Sequence, residues 1–198
     1  MAVSVTLDDL CATGDMVKVR DHIDTHFGID TKTPTWFRRV QSINDPDLDK
    51  SFLHACLRGQ SDVVNLLLYL VPRKTVIRTL ITMLGHGDLT IMHTLMTKLK
   101  SNGAVQVAKY AIERRCDDIL YDLITLINPL DAGSLLELAV DQRHIEAVRI
   151  LVRKCNAIDI DFSLIRPIKT ADVSLVAILM DGATMEGMFS ALEYTIVY

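Results

Sequence analysis

Apolar side chains recur along this chain with a period of 28 residues. Counted from Gly59, apolar residues stand at plus four, plus five, plus eight and plus nine, the spacing of one buried stripe on a short helix. The same columns are apolar when the count starts at Gly87, Arg115, Arg143 or Ala171. The plus-eight column contains only leucine, at Leu67, Leu95, Leu123, Leu151 and Leu179.

A second apolar stripe precedes each of these starting positions, at minus seven, minus four and minus three. These offsets also fall on one helical face. Each unit is therefore predicted to be a helix, a tight turn and a second helix. Such a pair cannot bury its apolar face alone, so the pattern predicts an all-α solenoid of about six stacked helix-turn-helix repeats plus a C-terminal half-repeat.

The repeats divide the chain, which is predicted to be a single domain over residues 1–198. Gly14 takes the turn position in an atypical capping repeat, and polar Lys18 and His22 stand in its apolar columns. The predicted segments are the capping repeat at 1–23, a long connection at 24–50, repeats at 51–71, 75–98, 104–128, 134–155 and 163–183, and a terminal helix at 188–198.

Cap and breaker residues predict where helices begin and end. The expected N-caps are Thr6, Ser51, Asp88 and either Asp117 or Asp118. Within the long connection, residues 35–43 are expected to form a short helix. Pro129 is expected to end the second helix of its unit. Pro167 is expected to kink or break the first helix of the last unit, because proline lacks a backbone N–H.

Some units resemble ankyrin repeats. Residues 51–59, Ser-Phe-Leu-His-Ala-Cys-Leu-Arg-Gly, followed by Asp-Val-Val-Asn-Leu-Leu-Leu at 62–68, are similar to the family pattern T-P-L-H-x-A…G…V-V-x-L-L-L. Its Leu-His lies one residue closer to the glycine than in that pattern. Residues 136–139 and 145–151 resemble a second copy, and Leu-Met-Asp-Gly-Ala at 179–183 resembles the L-x-x-G-A turn.

The larger departure from the family pattern is the length of the unit. Ankyrin units have about 33 residues, and the residues missing here are those of the β-hairpin fingers. The resemblance therefore implies bare helix pairs that bind a protein partner through a concave face of first helices. Shortened units of this kind are familiar in large DNA viruses and in effectors of intracellular bacteria, which suggests a host–pathogen interaction. Another class of helical repeat is the alternative.

Composition narrows the classes of partner and compartment. The net charge of −4 and the lack of a basic run argue against a nucleic-acid partner. No stretch approaches the roughly 18 apolar residues of a membrane helix, and Asp8 and Asp9 stand where a signal peptide is apolar. The cysteines show no pairing motif, so a reducing, cytoplasmic location is expected. They are Cys11, Cys56, Cys116 and Cys155.

Catalytic and metal chemistry is not expected from this sequence. His22 and His26 have the spacing of metal ligands on a helix, but no third ligand is close in sequence. No nucleophile elbow, Walker loop or dinucleotide-binding glycine set is present. The paired acids at 117 and 118 suit helix capping better than acid–base catalysis. We therefore expect no enzyme activity, no cofactor and no metal.

Function is expected on the first helices, at positions that packing does not use. The candidate partner-binding residues there are His54, Arg58, His86, Tyr110, Glu113, Arg114, Asp141, Gln142, Arg166 and Lys169. The long connection adds Trp36, Phe37 and Arg38. Tyr110 and Arg114 are one helical turn apart and form the expected hot spot, because aromatic residues and arginine dominate binding energy at interfaces.

These residues predict a non-catalytic protein–protein interaction module, acting as a scaffold, adaptor or inhibitor. Two alternatives keep the same fold without this site: an ordinary solvated face on the first helices, and a lid over the end of the stack made by Trp36 and Phe37. The alternative function is a self-associating structural protein that packs end to end through its terminal repeats. It is suggested by the apolar tail Thr195-Ile196-Val197-Tyr198.

Overall fold

The fold consists of helices joined by short turns. A computed structural model describes residues 6–33, 35–38 and 41–197, and no strand occurs among them. The all-α prediction is confirmed. The helices are α1 Leu7–Thr13, α2 Met16–Phe27, α3 Pro46–Leu57, α4 Ser61–Leu67, α5 Arg73–Met83, α6 Leu89–Met96, α7 Ser101–Glu113, α8 Asp117–Leu123, α9 Pro129–Asp141, α10 Ile145–Val152, α11 Ala157–Lys169, α12 Val173–Met180 and α13 Met185–Val197.

Packing divides the chain into two compact units, Met1–Lys98 and Leu99–Tyr198, called unit 1 and unit 2 below. In unit 1, the first helices of the pairs form one layer, in which α1 packs on α3 and α3 on α5. The second helices form the other layer, in which α2 packs on α4 and α4 on α6. Each helix pair of unit 1 thus buries its apolar stripes against the neighbouring pairs.

Unit 2 has the same two-layered arrangement. The first helices α7, α9, α11 and α13 pack on one another in that order, and the second helices α8, α10 and α12 form the other layer. Helix α13 has no second helix after it within the chain. The plus-eight leucines lie in the last turn of the second helices, and all five are 0% exposed.

The turn is a Schellman motif in four of the helix pairs, in which a left-handed residue ends the first helix. The φ angle at the counting position is 75° at Gly59, 56° at Arg115, 51° at Arg143 and 52° at Ala171. The next N–H then bonds the carbonyl oxygen five residues back, for example from His144 to Ala139 at 2.9 Å. In the third pair, the left-handed residue is Gly85, two positions earlier than the sequence period predicts.

In five of the helix pairs, the residue after the left-handed position is the N-cap of the second helix, and in the third pair the N-cap is Asp88, three positions after Gly85. Aspartate side chains accept a backbone N–H there in three pairs, at Asp15, Asp88 and Asp172. The prediction for Asp88 is confirmed, and Thr6 forms a capping box with Asp9 at the start of α1. Neither Asp117 nor Asp118 is a cap, because Cys116 takes the N-cap position and both acids lie in the first turn of α8.

The first helices begin earlier than the repeat pattern suggests. Asp45 caps α3 and Pro46 follows as its first residue, so Ser51 lies buried inside the helix and is not its cap. Pro129 likewise begins α9 and does not end the preceding helix. Proline suits the first helical position because the N–H that it lacks has no partner there.

Two further expectations about proline and the long connection differ from the structure. Helix α11 continues through Pro167, which lies in its last turn, and the Pro167 carbonyl accepts the Asp172 N–H at 2.8 Å. Within residues 35–43, the described part forms only a 3₁₀ turn, Trp36–Arg38. Among the described residues, no helix has the length and apolar character that crossing a membrane requires.

Substitutions at two of the left-handed turn residues should change the stability of the protein in opposite directions. Gly59→Ala is expected to destabilise the protein by about 1 kcal/mol, since a Cβ disfavours this conformation. No atom lies within 4 Å of a Cβ built at Gly59, so only the backbone is tested. Ala171→Gly is expected to stabilise by up to about 1 kcal/mol for the same reason. Urea unfolding measures both changes.

The control is Ala177→Gly on an exposed position of α12, where glycine should cost about 1 kcal/mol of helix stability. If Ala171→Gly were as destabilising as Ala177→Gly, the left-handed strain at Ala171 would be contradicted.

Candidate functional site

The exposed side of the first helices in unit 2 carries most of the predicted contact residues. We call this surface the unit-2 face, formed by the exposed side chains of α7, α9 and α11. At the end of α7, Glu113 and Arg114 are exposed beside Tyr110, which is 43% exposed. The expected hot spot therefore lies on the surface, one helical turn long, where a partner can reach it.

An ion pair joins the next two helices on the same face. The guanidinium of Arg166 on α11 donates to the carboxylate of Asp141 at the end of α9. Both side chains remain largely exposed, at 63% for Arg166 and 44% for Asp141. Exposed pairs of this kind contribute at most about 1 kcal/mol to stability. Two predicted contact residues are thus held in a fixed orientation at little structural cost.

The remaining predicted residues of unit 2 lie around this pair. Lys169 is exposed, whereas Gln142 is half-buried. The backbone carbonyl oxygen of Gln142 accepts a hydrogen bond from Nη2 of Arg115 at 3.5 Å. The side chain of Lys169 is the more exposed of the two, so Lys169 is better placed for a partner.

Three large apolar side chains on α9 and α11 were missed by the sequence analysis. Leu130 is 87% exposed, Ile158 is 67% exposed and Phe162 is 70% exposed. All three precede the predicted helix starts, because α9 and α11 begin earlier than the sequence analysis predicted. Continuing each exposed stripe by one or two turns towards the N-terminus would have found them. Phe162 also lines a groove of about 570 Å³ together with Glu137, Asp141 and Arg166.

In unit 1, the predicted residue His54 belongs to a polar cluster on the first helices. Its Nδ1 lies 2.6 Å from Oδ1 of Asp8, and Nζ of Lys50 lies 3.4 Å from the other oxygen of that carboxylate. This contact links α1 to α3, so His54 has a structural partner. Arg58 and His86 are exposed at the ends of their helices and lie outside the cluster.

The predicted residues of the long connection pack against the second helices. The ring of Trp36 stands edge-on to Tyr69 at 5.9 Å, and the Phe37 ring lies 5.1 Å from the same tyrosine. Nζ of Lys98 sits 4.1 Å above the Tyr69 ring, a cation–π distance. The Arg38 side chain lies outside the described residues. Trp36 and Phe37 are thus on a different layer from His54 and Arg58.

The groove beside this aromatic cluster keeps both alternatives for the connection open. It has a volume of about 560 Å³ and is lined by Trp36, Phe37, Tyr69, Val17 and Arg20, among others. Trp36 is half-buried and Phe37 is 38% exposed. The rings cover second-helix surface, as a lid does, and still leave aromatic edges that a partner can contact.

Titratable and metal-ligating groups form no dense cluster in the described part of the chain. The rings of His22 and His26 stack at 5.5 Å, and burial, followed by the charge of His26, lowers the pKa of His22. Among the described residues, no group of three histidine, cysteine or acidic side chains is close enough to hold a metal ion. Burial raises the pKa of the Cys11 and Cys56 thiols to about 12.

His144 is the one histidine buried in unit 2, and its contacts are structural. It is 3% exposed and stands at the N-cap of α10. Its Nδ1 lies 3.1 Å from the carbonyl oxygen of Ile112, and its Nε2 lies 2.8 Å from Oδ1 of Asp117. The ring therefore connects one helix pair to the pair before it.

Most candidate residues thus fall into three groups: the unit-2 face, the His54 cluster and the Trp36 cluster. Arg58 and His86 lie outside them. Comparison of the chain with models of protein families, with curated proteins and with solved structures found no match. Of the three groups, the unit-2 face has the most exposed apolar side chains, and it also contains arginines.

Proposed function

We propose that this chain is a non-catalytic protein–protein interaction module, built from ankyrin-like helix pairs, that binds a partner protein on the unit-2 face. The 28-residue period, the repeated Schellman turns and the two-layered packing within each unit support the repeat assignment. The four cysteines are free thiols, which supports action in the reducing cytoplasm.

The exposed apolar side chains on the unit-2 face are the observation that carries this proposal. Tyr110, Leu130, Ile158 and Phe162 all expose more than two fifths of their surface. Scattered single apolar residues are common on surfaces, but a group on adjacent helices is typical of an interaction site. Burying such side chains yields about 25 cal/mol per Å² of apolar area removed from water.

Charged residues around these apolar side chains would orient a bound partner. Arg114 and Arg166 stand on either side of α9, on helices that each pack against it. Arginine forms paired hydrogen bonds with carboxylates and stacks on aromatic rings, so it contributes strongly at interfaces. The Asp141 carboxylate holds the Arg166 guanidinium in place before binding, which lowers the entropy lost when a partner docks.

The proposal predicts that Tyr110→Ala combined with Arg114→Glu abolishes partner binding without lowering the melting temperature. Truncating a hot-spot aromatic and reversing an adjacent charge should each weaken binding by at least about tenfold. A quantitative pull-down from a relevant cell lysate, with the bound proteins identified by mass spectrometry, measures the loss. Thermal unfolding followed by circular dichroism measures the stability.

The matched control is Tyr121→Ala combined with Arg153→Glu. These residues are exposed on the second-helix layer of the same unit, so the change in aromatic area and charge is the same. The control should retain every partner. A partner kept by both variants would move the site away from the unit-2 face, and residues 36–37 with Tyr69 would be tested next. Unfolding of the first variant would instead place its residues in the core.

A second candidate function, self-association, is favoured by the end of unit 2. Met185, Phe189 and Leu192 form an exposed stripe on α13, and Val173 and Met180 are exposed on the neighbouring α12. In α13 the residues that pack inward include Ala191, which is 1% exposed. The side chains of the predicted tail, 195–198, lie outside the described residues. A second copy that packs on this stripe would continue the stack end to end.

Self-association predicts an apparent mass that rises with protein concentration in static light scattering. Met185→Glu combined with Phe189→Glu should hold the protein at its monomer mass of 22.2 kDa, because buried charges oppose the contact. Leu57→Glu combined with Leu89→Glu, at similarly exposed positions of unit 1, should still associate. A wild-type mass that does not change with concentration would exclude this candidate.

A further inference from the structure

A groove in unit 1 lies between the first helices α3 and α5. Its lining shares Lys50 with the His54 cluster and no residue with the Trp36 cluster. Its volume is about 520 Å³. The lining residues on α3 are Pro46, Asp49, Lys50 and Leu53, and those on α5 include Lys74, Thr75 and Arg78. This size is within the range of about 300–1,000 Å³ that holds a drug-sized ligand, so the groove is large enough for several residues of a peptide.

Cationic side chains dominate the rim of this groove. Lys74 and Arg78 stand one turn apart on α5, both exposed, and Lys50 faces them from α3. Nζ of Lys50 also lies 3.4 Å from Oδ2 of Asp8, with which it forms an ion pair. Neither Lys74 nor Arg78 has an ion-pair partner among the described residues. The lining carries three cations and one carboxylate, on a chain whose net charge is −4.

The start of α5 adds positive potential to the same groove. Its N-cap is Pro72, which forms no side-chain cap, and its first turn contains no acidic residue. The first N–H groups of a helix have no acceptor within the helix, and the helix dipole favours an anion beside them. Lys74 in that turn opposes the dipole in the absence of an anion, so an anionic ligand would relieve this cost.

Two polar atoms of the groove residues are buried without a hydrogen-bond partner. Thr75 is 2% exposed, and its Oγ1 has no partner among the described residues; the same is true of Oδ1 of Asp49. A buried polar group without a partner is destabilising and needs an explanation. Both residues line the groove, so a peptide provides both kinds of partner once these side chains turn towards it: its backbone has N–H donors for the Asp49 oxygen and acceptors for the Thr75 hydroxyl.

From these observations we infer that the α3–α5 groove binds an anionic peptide segment of a partner protein, with its carboxylate or phosphate groups on Lys74 and Arg78 and its backbone near Asp49 and Thr75. The inference goes beyond the proposed function, because it places a second binding site in unit 1 and gives the chemistry of its ligand. Free inorganic anions would satisfy the cations and leave the Asp49 oxygen without a donor, so a peptide fits better than a small ion.

The test is a titration of ¹⁵N-labelled full-length protein with unlabelled, end-blocked octapeptides, followed by amide chemical shifts. One peptide alternates glycine with glutamate, a second replaces glutamate by phosphoserine, and a third replaces it by glutamine. We expect saturable shifts at α3 and the first half of α5 with the first or second peptide, weakened by raising the salt concentration. Whichever of these two peptides binds more tightly identifies carboxylate or phosphate as the preferred group.

Charge reversal shows whether the rim cations carry the binding. Lys74→Glu combined with Arg78→Glu should weaken the peptide at least tenfold, and the milder Lys74→Gln with Arg78→Gln covers the case in which the reversal does not fold. The matched control, Arg149→Glu combined with Arg153→Glu, makes the same charge change with the same spacing, on α10 and at its C-cap. It should bind the peptide as wild type does.

Thr75→Val separates ligand contact from structure. The change keeps the shape of the side chain and removes the hydroxyl, so it should weaken the peptide several-fold while the melting temperature stays equal or rises. The inference is overturned if the glutamine peptide binds equally well, if neither acidic peptide binds at millimolar concentration, or if the α10 control loses as much affinity. Shifts caused only by anionic lipid vesicles or by DNA would overturn it as well.

These outcomes do not depend on the unit-2 face. Tyr110→Ala combined with Arg114→Glu should leave the octapeptide titration unchanged, so a failed titration and a failed pull-down can be told apart.

Discussion

Leu151→Ala should destabilise unit 2 by about 3 kcal/mol, within the range of 2–5 kcal/mol for emptying a buried leucine site. Leu151 is 0% exposed and lies in α10, which packs against α8, α9 and α12. Removing its side chain loses the apolar contacts and leaves a cavity between helices that hold each other in place. Urea unfolding followed by circular dichroism measures the change in the free energy of unfolding.

The control for this prediction is Leu130→Ala, because Leu130 belongs to the same unit and is almost fully exposed. We expect a change within about 0.5 kcal/mol, as at other surface sites. The same contrast should hold along the plus-eight column, whose leucines are all fully buried. Equal effects for the buried and the exposed leucine would contradict the assignment of that column to the core.

His144→Ala should destabilise unit 2 by about 2–4 kcal/mol, although a histidine is seldom a core residue. The imidazole occupies a buried site between two helix pairs, against the Ile112 carbonyl oxygen and the Asp117 carboxylate. Removing it leaves the carbonyl without this donor and the carboxylate without its neighbour, and it opens a cavity. Both losses act at the boundary between the α7–α8 pair and the α9–α10 pair.

His86→Ala is the control, since His86 is exposed at a turn of unit 1 and should change stability by less than about 0.5 kcal/mol. Amide hydrogen exchange gives a second readout, because loss of the contact should speed exchange in α8 and α10 more than in α13. A His144→Ala variant as stable as wild type would show that the Ile112 and Asp117 contacts carry no net energy.

The repeat period predicted more than the number of helices. In four of the five repeats, the position from which the period was counted is the left-handed residue of the turn. These positions include Arg115 and Ala171, which are not glycine. Such residues give no local signal of their own. Only the columns on either side identify them, because two stripes that face the same core require a tight turn at a set distance from each.

Helix starts were harder to predict because local signals have two meanings. Pro46 and Pro129 suggest an interruption when the preceding residues are assumed to be helical, and they are the first residues of α3 and α9 in the structure. The error hid one or two turns of α9 and α11, and with them Leu130 and Phe162 on the unit-2 face.

Contacts between residues far apart in sequence could not be found from the period. His144 meets Asp117 across 27 positions, His54 meets Asp8 across 46, and Trp36 meets Tyr69 across 33. Such pairs depend on how far each helix is rotated and shifted against its neighbour. Packing of whole side-chain surfaces determines those values, and a single sequence does not display them.

The sequence by itself determined that the chain is helical, that its helices come in pairs, and most of the residues that face the core; Met180 of the plus-nine column is an exception and is 50% exposed. A period of 28 and two apolar stripes are sufficient, because each stripe must be buried against a neighbour. The tertiary structure alone decided where the exposed side chains meet: Arg166 on Asp141, and Lys50 opposite Lys74 and Arg78 across one groove. Solvent-facing positions carry no periodic constraint, so only the packed helices show which of them are neighbours.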